Sequence, residues 1–178
     1  LIADNTNKSV EHNPETINLL YVGMIDAHRG VDTLVKGFAL AIKTVPNLTL
    51  TVVGDGTELS RIKELTKDLG VEGKVDITGR VPFESIPTYI EHSDIGVIPH
   101  LKSEHTDTTV PNKLFDYMTF AKPVISSNLD PVVKIINKVG CGTIFKSADP
   151  EDLSEKIVDL VSGNRIKQSG AKGVEAVK

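Results

Sequence analysis

Short, β-branched apolar runs alternate along this chain with stretches whose apolar residues recur at helical spacing. Ile17 to Val22 reads as a strand closed by Gly23, and Val31, Leu34, Val35, Phe38, Ala39, Ile42 and Val45 then repeat along one helix face. Leu48 to Val53 gives the next strand. Leu59, Ile62, Leu65 and Leu69 mark a second helix, ending at Gly70, where a left-handed residue costs little. Lys74 to Thr78 is a third strand, Ser85 to Glu91 a short helix that tolerates Pro87 in its first turn, and Ile95 to Ile98 a fourth strand. From Pro99 to Val110 neither period appears, which predicts a loop of about a dozen residues, a length usually tied to function or disorder. Pro111 then opens a helix expected to carry Leu114, Phe115 and Met118 inward. Pro123 to Ser127 is a fifth strand, Val132 to Val139 a helix, and Gly142 to Phe145 a sixth strand. Asp149-Pro150-Glu151-Asp152 is a strong helix start that feeds Leu153, Ile157, Leu160 and Val161, and the tail after Gly163 also reads as helical.

Six strands separated by helices, with right-handed crossovers, predict an α/β domain: a Rossmann-like, doubly wound parallel sheet whose ligand lies outside the carboxyl ends of the strands. A length of 178 residues suits one domain, taking roughly 100–200 residues per domain. Residues 15–178 are assigned to it, and residues 1–14, polar and without period, read as an interdomain connector. No apolar run approaches the ~20 residues of a membrane span, and the start Leu1-Ile2-Ala3-Asp4-Asn5 lacks the pattern of a secretory signal. The single cysteine, Cys141, is expected in the core and suits a reducing, cytoplasmic setting. A net charge of −4 with 4% aromatic residues lacks the basic surface and stacking platforms of nucleic-acid binders, so a small-molecule partner is expected.

The candidate chemistry therefore lies in the loops that follow strands. Gly23 ends the first strand and Arg29-Gly30 precedes a helix, which can bring backbone N–H groups, the helix dipole and a guanidinium to a phosphate; alternatively the glycines serve tight turns and Arg29 is solvated. Val53-Gly54-Asp55-Gly56 resembles the beginning of a dinucleotide fingerprint, but Leu59 stands where the third glycine belongs. A turn with Thr57 as helix cap, or close approach of Gly54 to a ligand, fits it better than NAD. P-loop, nucleophile-elbow and HExxH motifs are absent. His100 and His105, with Glu104 and Asp107, have the residue types of a metal site, but polar residues crowd loops without binding metal, and none is assigned.

The stretch Thr108-Thr109-Val110-Pro111-Asn112-Lys113-Leu114-Phe115-Asp116-Tyr117-Met118, followed by Lys122-Pro123-Val124-Ile125, resembles the donor-site helix and next strand of the group 1 (family 4) retaining glycosyltransferases. Tyr21-Val22-Gly23, Arg29-Gly30, Val52 to Gly56, Thr78 to Val81 and Ser93 to Pro99 extend the resemblance over about Ile17 to Gly163. It implies one half of a two-domain GT-B architecture, the half that binds the nucleoside-diphosphate sugar. Asp116 would accept from the ribose hydroxyls, standing one methylene short of the usual Glu. Lys113 and Arg29 would share the donor diphosphate in the absence of a metal, so that no cofactor is needed. Gly79-Arg80-Val81 matches the segment whose backbone contacts the base. Thr108, Thr109, Val110 and Asn112 complete the set, with Thr108 standing where the family's first acid would contact the sugar, and Met24 where relatives carry an arginine.

The resemblance further implies transfer with retention to a glycan or lipid-linked acceptor, in cell-envelope polysaccharide synthesis, by an enzyme that is cytoplasmic or works at the membrane surface. The amino-terminal acceptor domain and the final crossover helix of the family are expected to lie outside this chain, leaving the isolated domain inactive. A nucleotide-sugar epimerase of the same architecture and a non-enzymatic nucleotide-binding module are the competing readings.

Overall fold

The computed structural model of the chain describes residues 13–104 and 106–178, so the connector assigned to residues 1–14 lies almost wholly outside the described residues. The elements run in the expected order: β1 (Ile17–Val22), α1 (Val31–Ala41), β2 (Leu48–Val53), α2 (Leu59–Asp68), β3 (Val75–Gly79), α3 (Ile86–Glu91), β4 (Ile95–Ile98), α4 (Lys113–Thr119), β5 (Val124–Ser127), α5 (Asp130–Val139), β6 (Gly142–Phe145), α6 (Pro150–Ser162) and α7 (Ile166–Val177). All six strands are parallel, in the order β3-β2-β1-β4-β5-β6. That is the Rossmann-like doubly wound sheet, and its strand order reverses between β1 and β4. The third strand starts one residue later than its apolar pattern suggests, because the Lys74 N–H closes a tight turn onto the Val71 carbonyl at 2.9 Å.

Register follows from burial on both faces. β1 pairs with β2 from Ile17↔Leu48 to Val22↔Val53 and with β4 through Leu19↔Ile95 and Leu20↔Gly96. Successive side chains alternate between faces. Leu19 and Tyr21 join a core with Leu34 and Phe38 of α1, Ile62 of α2 and Leu153 and Ile157 of α6; Leu20 faces the other way, to Leu114 and Tyr117 of α4 and Val132 and Ile136 of α5. Each such side chain, fully buried, contributes about 1.5–3 kcal/mol of transfer free energy. A one-residue slip would send both sets to the wrong face.

Helix boundaries show which local signals decide. The Asp149 carboxylate accepts the Asp152 N–H at 3.0 Å, the cap expected of that start. Thr57 does not cap α2: its N–H and hydroxyl both go to Asp26 Oδ1, at 3.0 and 2.9 Å, tying the β1 and β2 loops together. Pro111 lies just ahead of α4, and its carbonyl accepts the Leu114 N–H at 3.0 Å. The expectation of Phe115 inside is corrected: it is exposed, and α4 buries Leu114, Tyr117 and Met118. Positions i, i+3 and i+4 share a face, whereas Phe115 is turned about 100° away. The fully buried Tyr117 donates its hydroxyl to the Leu20 carbonyl at 3.2 Å. Cys141 is buried and free. Among the described residues no helix is long and apolar enough to cross a membrane.

Gly30, between β1 and α1, has φ of 65°, and a Cβ placed there would meet the Pro99 carbonyl oxygen at 2.0 Å; Gly70, after α2, has φ of 66° and open space around it. Gly70→Ala should therefore lose only the left-handed backbone preference, about 1–2 kcal/mol. Gly30→Ala must in addition push two loop backbones apart, and should lose clearly more. Urea unfolding of the two variants, compared at equal m-value, checks this, and equal losses would refute the contact between the loops.

Candidate functional site

At the carboxyl ends of β1 and β4 the chain leaves the sheet in two directions. From β1 it passes through a short 3-10 turn at Ala27–Arg29 into α1; from β4 it runs through residues 99–112 into α4. The two connections are bound backbone to backbone, with the Leu101 N–H donating to the His28 carbonyl at 3.0 Å. The Ser127 hydroxyl, at the end of β5, donates to the His100 carbonyl at 2.6 Å. The outer part of the long loop is tied down separately. Lys102 Nζ reaches Asp130 Oδ1 at 2.6 Å, and the Asp107 carboxylate accepts the Asp130 N–H at the start of α5 at 3.2 Å.

Three nitrogen-bearing side chains meet in the crevice so formed. His100 Nε2 lies 3.4 Å from Arg29 Nη1 and 3.2 Å from Lys113 Nζ. Lys113 Nζ stands 4.5 Å above the centroid of the buried Tyr21 ring, a cation–π contact, and the Tyr21 hydroxyl donates to the Met24 carbonyl at 2.5 Å. Arg29 Nε is buried without a hydrogen-bond partner. Among the described residues no carboxylate lies within ion-pair distance of Arg29 or Lys113.

Concentrated positive charge out of water has the electrostatic consequences expected of it. Burial, reinforced by Arg29, brings the Lys113 ammonium down from 10.5 to about 7, although the Asp116 carboxylate favours its charge. Burial and then the charges of Lys113, Arg29 and His28 hold His100 down at about 3, so its imidazole is neutral. Burial pushes the Tyr21 phenol and, more mildly, the Asp116 carboxyl upward.

The sequence-predicted residues do not all converge. Gly23, Arg29, Gly30 and Lys113 come together at this crevice: a Cβ at Gly23 would meet Lys113 Nζ at 2.7 Å. Gly54 backs onto them, since the place of its missing side chain is filled by the Gly23 carbonyl oxygen at 1.8 Å, so the close approach there is to the neighbouring loop. Asp116 sits one turn into α4 on its exposed side, and Asn112, just before the helix, accepts the Phe115 and Asp116 N–H groups through its carbonyl. Arg80 is exposed at the end of β3, two strands from β1 in the sheet, whereas Val81 packs against the core under α4 and α5, as does Val110. Thr108 and Thr109 lie on the exposed part of the long loop.

His100, grouped by residue type with His105, and Tyr21 carry no assigned role in the sequence pattern. The available signal is position: His100 lies two residues past the end of β4 at the switch point, where a ligand-facing residue is expected. His105 lies outside the described residues, and Asp107 is engaged at α5. Among the described residues no group of three or more His, Cys, Asp and Glu side chains is arranged to hold a metal.

The sequence profile described as "Glycosyl transferases group 1" matches residues 3–172. The chain belongs to the group 1 glycosyltransferases. A curated member of similar sequence is the alpha-D-kanosaminyltransferase of Streptomyces kanamyceticus, 25% identical over 144 residues, which span 79% of this chain and 36% of that protein. Of solved glycosyltransferase structures, WaaG, involved in lipopolysaccharide biosynthesis, superposes with a TM-score of 0.79 at 19% identity over 93% of this chain and 44% of its own. Anabaena HepE, solved with UDP, gives 0.78 at 16% over 92% and 44%. These structures share the fold. The chain spans at most about half of the length of the curated glycosyltransferases it matches, 36% of the kanosaminyltransferase among them.

Lys113 makes the ligand-free site testable. Its native ammonium loses its proton near pH 7, the unfolded one near 10.5, so stability is lost as pH falls from about 10.5 to about 7 and is level below that. Lys113→Met removes the titration. The variant should be more stable than the parent by roughly 2 kcal/mol at pH 6, after allowance for the part-exposed side chain, and the gain should vanish towards pH 10.5. Urea unfolding across that range measures it; a gain independent of pH would show that Lys113 is not desolvated.

Proposed function

We propose that this domain binds a nucleoside-diphosphate sugar across the β1/β4 crevice, as the donor-binding half of a retaining GT-B glycosyltransferase. The observation that carries this reading is the Arg29–His100–Lys113 cluster: two converging cations at a switch point, one with a buried unpartnered Nε, and, among the described residues, no carboxylate within ion-pair distance of either. A diphosphate supplies the missing negative charge and the acceptors. Arg29 and Lys113 would stabilise that diphosphate as the leaving group without a metal, which is the electrostatic work a glycosyl transfer needs. Gly23, Arg29, Gly30 and Lys113 face the diphosphate in this reading, and Asp116 takes the ribose. Arg80 and Val81, with Gly54 behind, border the base, and Thr108, Thr109, Val110 and Asn112 lie on the sugar side.

HepE bound to UDP supports a nucleoside diphosphate as the ligand class, and WaaG supports a setting in cell-envelope polysaccharide synthesis. Transfer with retention to a glycan or lipid-linked acceptor, at the cytoplasmic side of a membrane, belongs to the same proposal. The acceptor-binding half would come from the remaining length that the related proteins have.

A thermal-shift screen of UDP, GDP, ADP and dTDP should find at least one that stabilises the chain, by about 2.7 kcal/mol at a hundredfold excess over Kd. No shift with any of the four would overturn the proposal. Arg29→Ala and Lys113→Ala should each weaken binding of that diphosphate by roughly 1.5–3 kcal/mol while leaving its nucleoside nearly unaffected. Equal losses for both ligands would point to general damage.

Asp116→Ala should lose about tenfold to a hundredfold in affinity for the nucleotide, the scale of an unpaired ribose hydroxyl. The loss should shrink when the ligand is the 2′,3′-dideoxy nucleotide, giving a non-additive cycle by calorimetry. Additive losses would mean that Asp116 does not touch the ribose.

A further inference from the structure

We propose that His100 is the positioning residue of this crevice, a neutral imidazole whose Nε2 lone pair accepts from Arg29 and Lys113 together and so aims both cations at one anion. The inference rests on the diphosphate reading of the crevice and adds to it the group that organises the charges.

The geometry sets the tautomer. Arg29 Nη1, 3.4 Å from Nε2, can only donate, because a guanidinium has five N–H groups and no acceptor. Nε2 therefore faces it with a lone pair, and the ring proton sits on Nδ1. Lys113 Nζ, 3.2 Å from the same atom, shares that lone pair from the α4 side. The ring is fixed from behind: His100 is 2% exposed, its carbonyl accepts from Ser127 on β5, and the next residue's N–H is bound to the His28 carbonyl. The charged or titratable groups around it are Arg29 and His28 from the β1–α1 connection and Lys113 from α4, all of which oppose a proton on Nε2.

Left alone, Arg29 and Lys113 would repel and part. A shared acceptor draws one N–H from each and leaves their remaining donors, the unpartnered Arg29 Nε among them, for a second acceptor. Two adjoining phosphate groups have the charge and the oxygens for that role. The sequence placed no such duty on His100, because a lone histidine after a strand carries no spacing signal.

The test uses inorganic pyrophosphate, which has no base or ribose, and compares the parent with His100→Gln, whose amide oxygen can still accept, and His100→Leu, which cannot. His100→Leu should weaken pyrophosphate roughly tenfold, and His100→Gln should stay within about threefold of the parent. The Lys113 ammonium, followed by side-chain nitrogen NMR, should titrate about one pH unit lower in His100→Leu and unchanged in His100→Gln, since only the former loses an acceptor of the charged form. Imidazole nitrogen spectra of the parent, which need no variant to fold, should show His100 as the neutral Nδ1–H tautomer at pH 6. A proton on Nε2, equal pyrophosphate affinity in all three proteins, or an unmoved Lys113 titration in His100→Leu would overturn the role of His100. Failure of the parent itself to bind pyrophosphate, or any of the four nucleoside diphosphates, would instead remove the diphosphate reading and this inference with it.

Discussion

The structure depends on one constraint: β1 and β4 are hydrogen-bonded neighbours whose chains must depart to opposite faces of the sheet. The α1, α2 and α6 helices cover one face and α4 and α5 the other, so among the described residues the two connections separate into a gap between these layers. What fills it is backbone against backbone. Gly30 admits the Pro99 carbonyl, and Gly54 admits that of Gly23. Loops pressed together this closely hold Arg29, His100 and Lys113 at fixed distances, which side chains on free loops would not keep. The sheet topology thus determines the crevice, and the glycines determine how narrow it is.

A narrow crevice explains why the charges matter. Exposed cations at these separations would be screened and their mutual influence small. Here His100 is buried, Lys113 rests on the Tyr21 ring, and Arg29 leaves an Nε unpartnered, so each charge is felt by the others. The depressed ammonium of Lys113 and the neutral imidazole of His100 follow from that one circumstance. Such a cluster lowers the stability of the ligand-free fold. The core of both faces tolerates it because the strands are buried continuously from Leu19 to Tyr21 and from Ile95 to Ile98.

Most of the fold was legible because periodicity reports burial, and burial by a two-faced sheet leaves little choice. Strand positions matched to within a residue, and the Asp149 cap appeared where its motif stood. The misreadings share a cause. Phe115 looks more core-like than Tyr117 by composition, but the phase of α4 is set by Leu114 and Met118, and that phase buries Tyr117, with its hydroxyl satisfied by the Leu20 carbonyl. Thr57 has the right type for a cap, yet Asp26, thirty-one residues earlier, takes both of its donors. In the site, Arg29 and Lys113 stood out through a motif, whereas His100 acquires its place only when two loops distant in sequence are brought together. Local pattern finds elements; long-range contact assigns polar side chains.

The choice of lysine at position 113 carries a consequence that arginine would not. A guanidinium keeps its charge at every accessible pH, whereas an ammonium pressed beside Arg29 and over an aromatic ring titrates near neutrality. Burial and Arg29 thus hold the Lys113 ammonium well below the usual lysine range in the ligand-free site. Under the proposed function, an arriving diphosphate would favour the charged form and draw a proton onto Nζ, so that binding and protonation would be linked. When the anion departs, the same linkage releases the proton and relieves the repulsion with Arg29. Permanent charge at both positions would bind an anion at least as tightly in the closed crevice, but it would oppose the anion's departure and the folding of the empty domain. One fixed cation and one adjustable cation, meeting on a neutral imidazole, would in the proposed function reconcile anion contacts with a stable ligand-free state.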